Sequence, residues 1–70
     1  MKQVTASMAG TVIQLLAQAG AEVSAGADVV MLESMKMEVP IQAESSGKVA
    51  TVKVNVGDFV NEGDVLLELE

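Results

Sequence analysis

Seventy residues allow one domain and leave no room for a second. The absence of Cys and His removes disulfide staples, thiolate ligands, the commonest metal ligand and the commonest general base. Ten acids against four lysines give a net charge of −6, which argues against nucleic-acid binding and against anionic membranes. Half of the residues are apolar, with Phe59 the only aromatic, so a core has to be built thinly from Val, Leu, Ile, Met and Ala.

In chain order, Lys2 to Ser7 alternates loosely and reads as an opening strand, broken by Met8-Ala9-Gly10. Thr11 to Ala19 reads as a second strand, followed by Gly20, a short Ala21-Glu22-Val23 and Gly26. The apolar run Val29-Val30-Met31-Leu32 reads as a buried strand leading into Glu33. Beyond it, Val39 and Ile41 alternate with Pro40 and Gln42, a shorter strand nearer a sheet edge because Pro40 has no N–H to donate. Ser34 to Met37 then form a hairpin turn with Lys36 at or near its tip. After Gly47 come Lys48 to Val56, Gly57, Asp58-Phe59-Val60, Gly63 and a final apolar run from Val65 to Leu69. The stretch from Ala17 to Ala27 is the one place where alanine's helix propensity competes with this all-β reading.

The two halves match at a constant offset of 37 residues without a gap. Gly10, Gly20 and Gly26 fall on Gly47, Gly57 and Gly63; Val12 falls on Val49, Val30 on Leu67, Leu32 on Leu69 and Glu33 on Glu70. A fixed-offset match of this kind marks a duplicated unit. Val52, Val54 and Val56 alternate with Lys53 and Asn55, as Leu15, Ala17 and Ala19 do with Leu16 and Gln18, so the first-named sets are expected to face inward. Neither half can bury its apolar face alone. The expected fold is an all-β flattened barrel or barrel-sandwich of about eight short strands, in two halves related by a pseudo-two-fold axis. Because Glu33 matches the last residue, Glu70, the Lys36 turn and the termini are expected at opposite ends.

A lysine on a hairpin is usually a solubilising charge. Met35 and Met37 make this one unusual, because two large apolar side chains at a loop tip cost solubility unless they fold back onto the barrel or bind something.

Ser7-Met8-Ala9-Gly10-Thr11-Val12, Glu33-Ser34-Met35-Lys36-Met37-Glu38, Gly57-Asp58-Phe59-Val60 and Gly63-Asp64-Val65-Leu66 together resemble the biotinyl domain of biotin-dependent carboxylases. They are most similar to the small biotin/lipoyl attachment proteins of bacteria, over nearly the whole chain. The resemblance implies that Lys36 is the attachment residue, with Glu33, Ser34, Met35 and Met37 read by a biotin protein ligase. It implies covalent biotin, added with ATP through a biotinyl-adenylate. The domain then works as a biotin carboxyl carrier between a biotin carboxylase and a carboxyltransferase, and is not itself an enzyme. Ser34 stands where many such domains have Ala. The gapless repeat leaves no room for the protruding thumb of some carriers, and the Pro-Ala-rich linker that commonly precedes the domain in large carboxylases is expected to be missing.

Two other readings share the fold. Lipoyl domains also place a Glu three residues before their lysine, so lipoate on Lys36 is the alternative cofactor; their tip typically reads Asp-Lys-Ala rather than Met-Lys-Met. An unmodified barrel-sandwich adaptor would make Lys36 an ordinary tip charge. A free lysine titrates near ~10.4, so unaided acylation would be slow and would not prefer Lys36 over Lys2, Lys48 or Lys53. Selection therefore has to come from an enzyme that reads the folded tip. With no apolar run of membrane-span length and no secretion signal, the expectation is a soluble, monomeric, cytoplasmic domain, free-standing or part of something longer.

Overall fold

Eight strands and no helix make up the regular structure of the computed structural model, which describes residues 2–70. In chain order they are β1 (Lys2–Thr5), β2 (Gly10–Leu15), β3 (Glu22–Val23), β4 (Asp28–Ser34), β5 (Met37–Gln42), β6 (Gly47–Val52), β7 (Phe59–Val60) and β8 (Val65–Leu69). They form two four-stranded antiparallel sheets, β1-β8-β6-β3 and β5-β4-β2-β7. Shifting the numbering by 37 turns β1, β2, β3 and β4 into β5, β6, β7 and β8, and so converts one sheet order into the other.

The hydrogen bonds that clasp the halves obey the same rule. Val12 N–H donates to the Asp58 carbonyl at 2.8 Å, and Val49 N–H donates to the Ala21 carbonyl at 2.8 Å. Gly57 N–H returns to the Val12 carbonyl at 2.7 Å, and Gly20 N–H to the Val49 carbonyl at 2.9 Å. Gly20, Gly26, Gly57 and Gly63 each occupy the third position of a four-residue turn with φ between 88° and 98°, as a type II turn requires. Turns at Gly20 and Gly26 also explain why the Ala-rich stretch from Ala17 to Ala27 stays out of a helix: each interrupts it after a few residues.

One apolar cluster fills the space between the sheets. Leu32, Leu66, Leu67, Leu69, Val12, Val29, Val30 and Val49 are its fully buried members, and the other residues in it are Val, Ile and Ala. No methionine among the described residues belongs to it, although Met was expected there. Period-two strands place one face on a thin core, and β-branched and Leu side chains fill it without the long flexible stem of Met.

Three sequence expectations are corrected. Gly10 opens β2 rather than breaking the chain ahead of it. The long second and sixth strands end early, at Leu15 and Val52, instead of running to Ala19 and Val56. Ala17 and Val54 still point inward, but Ala19 and Val56, equivalent by the repeat, are exposed. Each sits at the second position of a type II turn, where the inward alternation no longer holds.

Candidate functional site

The hairpin of β4 and β5 is in unbroken register from its middle to its end. Val30 faces Ile41, Met31 faces Pro40, Leu32 faces Val39, Glu33 faces Glu38 and Ser34 faces Met37. The irregularity lies at the far end, between Asp28 and Val30. Strand β4 is bonded on its other side to β2, so the strand that leads into the tip is held along both of its edges. Pro40 is placed on the edge strand β5, where its missing N–H costs nothing.

Ser34 and Met37 close the ladder, leaving Met35 and Lys36 as a two-residue loop. Their φ values are 52° and 65°, which makes this a type I′ turn. They are the only non-glycine residues with positive φ among the described residues. Type I′ turns favour Asn-Gly, whereas L-residues with long side chains in this region cost about 1–2 kcal/mol each. A second unfavourable feature lies directly behind: the like-charged Glu33 and Glu38 are cross-strand partners. Neither methionine folds back, since Met35 is 92% exposed and Met37 is 66% exposed. Strain, facing like charges and bare thioethers converge on one turn, and none of them benefits the fold.

Lys36 is exposed and makes no hydrogen bond or ion pair among the described residues. Lys2 Nζ donates to the Ser46 carbonyl at 3.1 Å, and Lys53 Nζ lies 3.8 Å from Glu68. Lys48 is also exposed, with its side chain unengaged among the described residues, but it lies within strand β6, paired with Glu22. Backbone geometry, rather than exposure, sets Lys36 apart.

Gly10 holds the base of the tip. A Cβ there would come within 2.8 Å of the Glu33 carbonyl oxygen, so only glycine lets β2 approach β4 beside the turn. At the equivalent Gly47 a Cβ would meet the Glu70 carbonyl oxygen at 3.2 Å. Glu33, Ser34, Met35, Lys36 and Met37 are thus brought together on one rigid projection. The termini occupy the repeat-related place on the other sheet, where Lys2 pairs with Leu69. Glu38, Thr11 and Phe59, which the sequence reading did not assign to the site, join Glu33 in one cross-strand row. No motif spans those four positions, and only the register brings them together. Surface depressions of about 390 and 400 Å³ lie elsewhere, around Glu22 and Lys48 and around Leu15 and Val52.

The family model described as "Biotin-requiring enzyme", covering biotin and lipoyl attachment domains, matches residues 2–69. The chain belongs to the biotin/lipoyl attachment family. It is 54% identical over 66 residues to a biotin/lipoyl attachment protein of Bacillus subtilis, covering 94% of this chain and 90% of that one. It is 46% identical over 67 residues to pyruvate carboxylase of the same organism, covering 96% of this chain and 6% of the carboxylase. Among solved structures, Kluyveromyces lactis urea carboxylase superposes with a TM-score of 0.92 at 30% identity, over 99% of this chain and 6% of that one. The attachment domain therefore occurs both nearly alone and as a small part of very large enzymes.

Proposed function

We propose that this attachment domain is a biotin carboxyl carrier in which Lys36 holds the biotin. The observation that carries the reading is the type I′ turn: it projects Lys36 from a hairpin whose strand β4 is bonded on both edges, with Met35 and Met37 bare on either side. The residues fit the group, because an amide between Nζ and a carboxyl group needs an unengaged amine that another enzyme's active site can enclose. When bound, biotin supplies the atom that accepts and releases a carboxyl group.

The chain's own part is attachment and delivery. A biotin protein ligase would first join biotin's carboxyl group to AMP, releasing pyrophosphate from ATP, and Nζ, once it has given up a proton to the ligase, would then displace AMP to form the amide. The apolar flanks give that enzyme something to grip beside the charge, and Glu33 and Ser34 fix how the turn is presented. The partners implied are the ligase, a biotin carboxylase and a carboxyltransferase. Tethering makes each encounter of biotin with these sites local and raises its effective concentration.

Purified protein incubated with a biotin protein ligase, biotin and ATP is expected to gain one biotin per chain. Lys36→Arg is expected to gain none, although Lys48 remains available. Labelling of the variant at an unchanged rate would refute the assignment. Lipoate is the second reading, favoured by the dual name of the Bacillus subtilis relative. Replacing Met35 by Asp and Met37 by Ala is expected to shift labelling from biotin towards lipoate if the flanks decide.

A further inference from the structure

The internal repeat supplies a control inside the molecule: a feature required only by the fold should appear in both sheets. The row behind the tip runs Glu38, Glu33, Thr11, Phe59 across β5, β4, β2 and β7. Directly paired residues share a face, and this row is the outer one. Glu38, Glu33 and Phe59 are exposed and Thr11 half-buried, while Leu32 and Val12 of the next row are buried. Shifted by 37, Glu33, Thr11 and Phe59 correspond to Glu70, Lys48 and Glu22 of the other sheet. The fold accepts charged residues at the last two places. In the sheet that bears the tip, the same places hold a neutral residue and the chain's only aromatic, 65% exposed.

Charge is divided in the same way. Strands β2, β4, β5 and β7 contain Asp28, Glu33 and Glu38 and no basic residue. Lys2 and Lys48 belong to the other sheet, and Lys53 directly follows its strand β6. Phe59 lies two strands from Glu33, about 10 Å away at the usual spacing, so it forms one surface with the tip.

We infer that this outer row, anchored by Phe59, is a second contact surface for the ligase that modifies Lys36; this rests on the carrier reading. An exposed aromatic at the margin of an acidic stripe fits a partner with an apolar pocket edged by basic side chains. Continuity with the turn selects the ligase as occupant, because an enzyme that acylates Nζ has to close on the tip itself and so lie against the face next to it.

The test is steady-state biotinylation of the purified domain by a biotin protein ligase. The variants are Phe59→Ser, Phe59→Glu, Phe59→Tyr and Thr11→Lys, with Glu22→Ala as the control on the other sheet. Thermal melts establish that each is folded. The Ser and Glu variants are expected to lose at least about tenfold in kcat/KM, mainly through KM, as for an interface anchor. Thr11→Lys, which places a cation in the acidic row, is expected to fall in the same direction, while Phe59→Tyr and Glu22→Ala stay near wild type. Folded Phe59 variants labelled at the wild-type rate would overturn the inference. So would normal labelling combined with impaired carboxyl transfer, since the occupant would then be a carboxylase component. Failure of the wild-type domain to accept biotin would remove the carrier reading itself, and the inference with it.

Discussion

At Met35, positive φ is imposed on a side chain that packs against almost nothing, so the turn's strain can be separated from its use. Met35→Asn puts a residue suited to this region at the first turn position. It is expected to raise stability by about 1 kcal/mol in urea denaturation while slowing ligation, since the thioether is lost. Unchanged stability would mean that the conformation costs nothing there. Gly10 and Gly47 give a paired test of close approach. Gly10→Ala forces a methyl group against backbone at 2.8 Å, whereas Gly47→Ala has 3.2 Å. The first is expected to cost about 1–3 kcal/mol, as overpacking does, and the second less; reversal of that order in chemical denaturation would contradict the geometry.

The elements of the second half carry a device that the first half lacks. In the turns around Gly57 and Gly63, Asp58 and Asp64 carboxylates accept from the N–H groups of Asn55 and Asn61, each at 2.8 Å. The equivalent residues of the first half are Ala21 and Ala27. Ala21→Asp and Ala27→Asp should each add this bond and stabilise the fold by about 0.5–1 kcal/mol, read as a higher melting temperature; an unchanged or lower one would contradict the expectation. The succession of short strands, the duplicated halves and the tip were legible in the sequence because each rests on spacing along the chain: glycines at a fixed offset, and a lysine between two methionines. Strand ends were not, because the inward alternation through Val54 gives no sign that Val56 already belongs to a turn. The row of Phe59, Thr11, Glu33 and Glu38 was not legible either, since its members lie far apart in sequence and meet only through three pairings between strands. Nor could composition show that Met would be excluded from a core as thin as this one.

For the whole molecule, duplication creates two equivalent sheets around one core and then uses only one of them for the tip. Leu32 and Leu69 are equivalent and fully buried. Leu→Ala at either is expected to cost about 2–5 kcal/mol, against a total of about 4–10 kcal/mol for a chain of this length. Similar losses at the two sites would reflect the shared core, and ligation of each variant should follow its folded fraction. Heat-denatured chain should not be labelled, because the turn, its stem and the row behind it exist only in the fold. Labelling of denatured chain at an undiminished rate would show that the ligase reads linear sequence. The central claim, that the fold exists to present Lys36 to other enzymes, is tested most directly by the intact mass of the protein from cells supplied with biotin, with peptide mapping of its lysines. One biotinyl group, on Lys36, is the expected result. A chain that stays unmodified there, or carries the group on Lys2, Lys48 or Lys53, would contradict it.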